Sequence, residues 1–420
     1  MLILYLINLL AYFYVQILKL RYLSKFFKKE DRFFNPFNII FISQLPVDFL
    51  RVVVGPLFLL ENGVSNKYYN IAIFCSTLSF FVDYLLLKIT FFVSKKYTFV
   101  TSSFDFSIRE NRIKVASRFF YFLFFICLFL LASSSFGFIN WLLNPREGYQ
   151  FHRSGAGFLW VLAISFLSVS FVLSTLYAKS RIKLFLIFFI YAFSAYFLGS
   201  KGIVLDFFLY FLIILWLTKY KKLKYIYIIM LPLVFGIMLY NFFSSAGSTD
   251  FKEVFSYFDH YVNATMYYEA YYTNKIDLFY GKVYFSDFWN LVPRGVYPNK
   301  PYVFGITHVN EFFFPGAAEE TNTPAFGGAV NYFADFGIIG VILFSFINPI
   351  KFISYFFLCQ LLKNYTYETI VNNSYILLLF ILFTAPYFLF YLIFPLNMAL
   401  FFFISVIILL FNRIILFKKY

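Results

Sequence analysis

Charge is scarce in this 420-residue chain: Asp, Glu, Lys and Arg make up 13% of it, hydrophobic residues 62%, and the mean hydropathy is +0.77. A soluble protein carries about a quarter charged residues, so a water-exposed globule is excluded. Cysteine is rare too. Cys75, Cys127 and Cys359 each sit in an apolar segment, which points to packing rather than to a disulfide or a metal site. There are three histidines, no His-Glu-x-x-His and no Asp-x-Asp, so a metal-independent reaction is the simpler expectation. No repeat is visible, and no cytoplasmic segment is long enough to hold a nucleotide. No cofactor is expected.

What is abundant is apolar sequence in runs of about 18–22 residues, the length a helix needs to cross roughly 30 Å of hydrocarbon. The runs are continuous rather than alternating, and that favours helices over a barrel. Candidate spans fall at about 1–20, 37–60, 68–92, 119–139, 157–177, 183–199, 203–218, 224–244, 331–355, 374–393 and 395–413. The fold class expected is therefore all-α and polytopic, with about eleven transmembrane helices. Residues 1–244 form a bundle of spans one to eight, 245–330 a large outer loop, and 331–420 a bundle of spans nine to eleven.

The net charge of +15 invites a nucleic-acid reading, but its distribution rejects it. The basic residues cluster in short connections such as "VSKKYT", "RENRIK", "AKSRIK" and "KYKKLK", and short Lys/Arg-rich loops stay cytoplasmic. The 245–330 segment holds five cations against nine acids. Threading this rule through the spans puts the N-terminus outside, the C-terminus in the cytoplasm, and 140–156, 199–203 and 245–330 on the outer face. The first apolar stretch has its cations after it and no small-residue cleavage pattern, so it is expected to be a retained helix.

The outer segment of about 85 residues is too long for an unstructured connection in a compact protein. Its Tyr-rich stretch "VFSYFDHYVNATMYYEAYYTN" is expected to form short amphipathic helices on the outer membrane surface around a pocket. His260 and His308 lie in this segment and His152 in another outer loop, so proton-handling groups gather on one side. Within the spans, Asp48 and Arg51 are three apart on one helical face and are expected to pair. Asp83 and Lys88 face different ways, with Lys88 snorkelling to the inner surface.

Two motifs carry cations at the outer face. In "LVPRGVYPNKPYVFG" (291–305) prolines fix φ around Arg294 and Lys300, so a planar fork and a mobile point charge start pre-positioned for a diphosphate. In "YFLGSKGIVLDFF" (196–208) the Gly-Ser-Lys-Gly hairpin either brings backbone and Lys201 to an anionic ligand or is an ordinary polar turn touching headgroups. Candidates for a base are His308, Glu311 and Glu269, and the sequence does not separate them. Tyr267, Tyr268, Tyr271 and Tyr272 offer faces for sugar stacking or form an interfacial belt.

The proline-framed Arg294/Lys300 motif, "EETNTPAFGGAVNYFADFGIIG" (319–340) and the "GSKG" hairpin together resemble the bacterial O-antigen/capsule repeat-unit polymerases, the Wzy-type family. Lys201 departs from the Gly-Ser-Arg frequent in that family. The resemblance implies a GT-C-like fold in the bacterial inner membrane. It also implies transfer of a growing glycan from undecaprenyl diphosphate to the terminal sugar of a new lipid-linked repeat at the outer leaflet. The implied partners are undecaprenyl-diphosphate-linked oligosaccharides, membrane lipids and a chain-length regulator, with no nucleic acid. In such a transfer Arg294, Lys300 and Lys201 would stabilise the leaving diphosphate. A flippase predicts paired helical halves and short loops, which the sequence lacks. An O-antigen ligase shares most features with a polymerase, and the Pro-Arg…Lys-Pro motif favours the polymerase.

Overall fold

The structure is a computed structural model and describes residues 2–25, 27, 32, 35–60, 66–94, 110–149, 156–178, 180–217, 236, 258–286, 297, 299, 307–317 and 324–346. Every regular element among them is a helix. Five stretches are long and apolar enough to cross a membrane: Leu2–Ser24, Phe37–Leu59, Lys67–Phe92, Ile113–Ser135 and Gly157–Leu176. Ile182–Tyr196, Gly202–Trp216 and Val330–Ser345 are shorter apolar helices. All eight coincide with expected spans, whereas 374–393, 395–413 and all of 224–244 except Gly236 lie outside the described residues. The chain is a multi-pass membrane protein whose described elements are all helical.

Along the chain the helices are α1 (Leu2–Ser24), α2 (Pro36–Phe49), a π-helical turn (Leu50–Val54), α3 (Gly55–Leu59), α4 (Lys67–Ser94), α5 (Glu110–Ser135), α6 (Phe138–Leu143) and α7 (Pro145–Glu147). There follow α8 (Gly157–Leu176), α9 (Arg181–Tyr196), α10 (Lys201–Leu217), α11 (His260–Tyr272), α12 (Lys282–Phe285), α13 (Thr307–Phe313) and α14 (Val330–Phe346). Two compact units emerge, residues 1–97 with 224–352 and residues 98–223 with 353–420.

In the first unit α1, α11 and α14 all pack on α4. Small residues on α4 make this approach possible. Ala72, Ser76 and Ser79 recur at helical spacing on its buried side. Ser76 accepts a hydrogen bond from Tyr261 Oη at 2.8 Å, Ser79 shares one with Ser345 at 3.0 Å, and a Cβ on Gly328 would lie 2.8 Å from the Ala72 methyl. Small and hydroxylated faces are how helices associate when lipid supplies no hydrophobic drive. One turn further along, Asp83 is paired with Lys19 of α1 at 3.3 Å. Lys88 is exposed and lies over the Tyr84 ring at 5.3 Å, so the two residues indeed face different ways. The outer side of α1 exposes Leu2, Ile3, Leu6, Ile7, Leu10 and Ile17, as a lipid-facing helix does.

The second helix breaks at Pro56. That residue has no N–H to give the Val52 carbonyl, and its ring crowds it. The ladder slips to a π turn in which Gly55 N–H reaches the Leu50 carbonyl, and the Tyr69 hydroxyl donates to the freed Val52 oxygen. The break also undoes an expectation. Among the described residues Arg51 has no carboxylate within ion-pair distance, although its charge still acts on Asp48.

In the second unit α5, α8, α9 and α10 pack in succession, α5 on α8, α8 on α9 and α9 on α10. Buried hydroxyls join three of them. Ser117 of α5 meets Ser174 of α8 at 2.6 Å, Ser170 and Ser174 meet the Tyr191 hydroxyl of α9 at 2.6 and 2.7 Å, and Tyr121 meets Ser194 at 2.7 Å. Each such interhelical bond contributes about 0.6 kcal/mol in a membrane bundle. Cys75 and Cys127 are buried and free, as the apolar surroundings suggested; Cys359 lies outside the described residues.

Candidate functional site

α11 begins with Asp259 and His260 and runs into the core of the first unit. Tyr267 and Tyr268 are fully buried, both rings meeting Phe333 edge-on at 6.2 and 4.9 Å, and the Tyr268 hydroxyl donates to the Gly328 carbonyl at 2.5 Å. This corrects the sugar-stacking and interfacial-belt readings for these two tyrosines. They are core residues, because α11 is packed between α4 and the start of α14. Tyr271 is half-buried and also edge-on to Phe333, and exposed Tyr272 stacks on Tyr68 at 6.5 Å.

At its C-terminus α11 turns sharply. Asn274 takes a positive φ of 55°, and Lys275 N–H returns to the Ala270 carbonyl at 2.8 Å, an αL helix stop of the kind Asn tolerates. The chain then runs extended along α14, Phe279 N–H bonding Ala334 O at 2.9 Å and Tyr280 N–H bonding Asp335 O at 3.1 Å. α14 itself kinks at Phe336 and Gly337, where φ is +63°. Just before the kink the fully buried Asp335 carboxylate accepts from Val283 N at 3.0 Å and Tyr284 N at 2.8 Å. Those are the free N–H groups at the start of α12, so a buried charge and orphan donors satisfy each other.

This scaffold frames a cleft of about 470 Å³ lined by Lys275, Ile276, Asp277, Leu278, Phe279, His308, Glu311 and Phe312. His308 and Glu311, three apart on α13, share the helical face turned to it. The His308 ring stacks on Phe279 at 5.8 Å and 27°. Partial burial lowers its pKa from the usual imidazole range, the nearby Lys282 ammonium lowers it further, and Asp335 opposes both. His308 is thus a neutral imidazole at physiological pH, able to accept a proton. Glu311 Oε1 accepts from Gly316 N at 3.3 Å and is otherwise exposed. Apolar and aromatic walls with a few convergent polar groups suit a sugar, which offers C–H faces and hydroxyls together.

The candidates therefore separate. His308 and Glu311 come together in the cleft; Glu269 is exposed on α11 and does not line it. Arg294 and Lys300 lie outside the described residues, as does His152. Lys201 opens α10 in the second unit, after a hairpin whose glycines play unequal parts. A Cβ on Gly199 would lie 2.1 Å from the Pro145 carbonyl oxygen, and its φ is +71°, whereas Gly202 has only Ser200 Oγ nearby, at 3.7 Å. The close approach served by Gly199 is thus to the chain's own Pro145–Tyr149 turn. Trp141, Trp160 and Arg146 donate to the carbonyls of Phe197, Leu198 and Gly199 at 2.8, 2.9 and 3.4 Å, closing the end of α9. Asp335, Lys275, Asp277 and Phe279 were not singled out from the sequence. Asp335 sat within the quoted "YFADFG", and a lone acid in an apolar helix start was the signal available.

No protein-family model and no solved structure matches the chain. Proteins named O-antigen polymerase from Salmonella typhimurium (strain LT2) and Salmonella typhi are each 26% identical to it over 310 residues, covering 72% of this chain and 73% of theirs. The similarity to these O-antigen polymerases thus runs through most of both lengths, in a multi-pass membrane protein whose described elements are all helical.

Proposed function

We propose that this protein polymerises undecaprenyl-diphosphate-linked oligosaccharide repeat units into O-antigen or capsular polysaccharide, as a membrane glycosyltransferase at the outer leaflet of the inner membrane. The observation that carries the reading is the similarity to two O-antigen polymerases across nearly three quarters of each chain. Their name also favours a polymerase over a ligase or a flippase. We further assign a GT-C-like arrangement of eleven spans with the N-terminus outside, a bundle at 1–244, an outer loop at 245–330 and a second bundle at 331–420. A chain-length regulator is the proposed partner, and the transfer is proposed to be metal-independent.

In the proposed reaction the acceptor sugar's hydroxyl oxygen forms a bond to the anomeric carbon of the growing glycan. The bond from that carbon to the diphosphate breaks, the electron pair leaving with undecaprenyl diphosphate. His308 Nδ1 or Nε2 takes the hydroxyl proton; its lowered pKa keeps it unprotonated beforehand. Glu311 and Glu269 are the alternatives, and Glu311 shares the cleft with His308. Arg294, Lys300 and Lys201 are the cations proposed to take up the charge that grows on the diphosphate. Loss of one such preorganised contact typically lowers the rate about a hundredfold, or about 3 kcal/mol.

The test is a strain deleted for the gene and complemented with wild type or Arg294→Ala at equal membrane abundance. Surface polysaccharide from the wild-type strain should run as a ladder of repeat lengths, and the variant should leave mainly single-repeat material. A ladder that survives deletion overturns the polymerase reading; loss of even the single-repeat product would point upstream, to flipping.

A further inference from the structure

The break in the second helix sits against the first residues of α11. A Cβ on Gly55 would lie 2.3 Å from the Phe258 carbonyl oxygen, so the two backbones touch. At this contact Arg51 Nε and His260 Nδ1 are both buried without a hydrogen-bond partner. A buried polar atom left unpaired typically costs on the order of 1–3 kcal/mol, and here such atoms face each other from two different elements of one unit. Among the described residues no acid answers them. Asp48 stands in the guanidinium's field without an ion pair, and Asp259 Oδ1 is 3.7 Å from His260 Nδ1, beyond hydrogen-bond reach.

The chemistry of the missing partner follows from the donors. Nε–H is one arm of the planar guanidinium fork that grips two oxygens of a carboxylate or phosphate. His260 is uncharged, its pKa pushed down to about 3 by burial and then by Arg51, so it adds a single neutral donor and not a second cation. One fixed positive charge with a neutral donor beside it, in the second half of the span Phe37–Leu59, suits a phosphate ester carried by a lipid. The π turn is what presents Arg51 in this way, and such turns recur at functional sites.

We propose that Arg51 and His260 form a phosphate-binding site separate from the His308 cleft. Two lipids bring that chemistry, a polyprenyl diphosphate and a bilayer phospholipid. The full-length protein in phosphate-free detergent is titrated with undecaprenyl diphosphate and, separately, with phosphatidylglycerol, binding being read by native mass spectrometry. Wild type should bind at least one probe, Arg51→Gln should weaken that binding at least tenfold and His260→Ala several-fold, and Arg51→Lys should fall between wild type and Arg51→Gln. Loss confined to undecaprenyl diphosphate assigns the site to the substrate, and loss confined to phosphatidylglycerol to a bound membrane lipid. If wild type binds neither probe, or if Arg51→Lys and His260→Ala both bind as wild type does at unchanged Tm, the proposal is overturned. The readout is independent of polymerisation, so the functional reading stands or falls separately on the ladder.

Discussion

His308 and Glu269 illustrate how burial sorts residues of one type of promise. Both are outer-segment groups able to take a proton, yet only His308 lines the cleft. His308→Gln is expected to lower transfer by purified protein about a hundredfold or more, while Glu269→Gln stays within a few-fold of wild type. The pH dependence has a definite sign. Burial and then Lys282 lower the His308 pKa, so the neutral base persists below the ordinary value of about 6.5, and activity should decline only on the acid side of it. Removing one depressing cation raises the pKa, so Lys282→Ala should move that acidic limb to higher pH. An unmoved limb would assign the proton to another group. The sequence offered His308 and Glu311 by type and spacing; it did not show Phe279 under the ring or Asp335 nearby, because those positions lie 29 and 27 residues from His308.

Elements carry their own tests. Pro56 leaves Val52 O without a helical donor and Tyr69 supplies one, so the two positions should be energetically coupled. Tyr69→Phe is expected to destabilise the wild type by about 1 kcal/mol and a Pro56→Ala background by clearly less; additive effects in the double-mutant cycle would contradict the account of the π turn. In the hairpin before α10 the two glycines should respond with opposite sign. Gly199→Ala forces a Cβ to 2.1 Å from the Pro145 oxygen at φ +71° and should cost at least about 2 kcal/mol. Gly202→Ala, in helical backbone with open space, should be neutral or stabilise by up to about 1 kcal/mol. Thermal unfolding in detergent compares the pair directly. "GSKG" reads as one polar turn in sequence; its asymmetry arises from a turn 50 residues away.

For the whole molecule the open quantity is which side of the membrane each segment occupies. Under the proposed topology residue 273, in the exposed turn after α11, lies on the outer face. Cys75 and Cys127 are buried, so they contribute little background to a thiol probe. Thr273→Cys should react with a membrane-impermeant maleimide in intact spheroplasts; labelling only after permeabilisation would invert the topology. Such a result would also move the cleft to the cytoplasmic side, where an outer-leaflet polymerase has no substrate.

The sequence by itself determined the solvent this protein folds in. Runs of some twenty apolar residues and a 13% charge content leave helices in a bilayer as the available answer, and eight expected spans are helices in the structure. The similarity to O-antigen polymerases was legible as well, since "PRGVYPNKP", "GSKG" and "FGGAVNYFADFGIIG" are local patterns. Tertiary structure decided which polar groups are free to act. Tyr267 and Tyr268 went to the core, Asp335 to capping α12 and Asp83 to Lys19, while Arg51 and Asp48 form no ion pair. Hydropathy is set by each residue's own transfer energy and can be read along the chain; a partner is set by which distant helix supplies the opposing atom, and only packing fixes that.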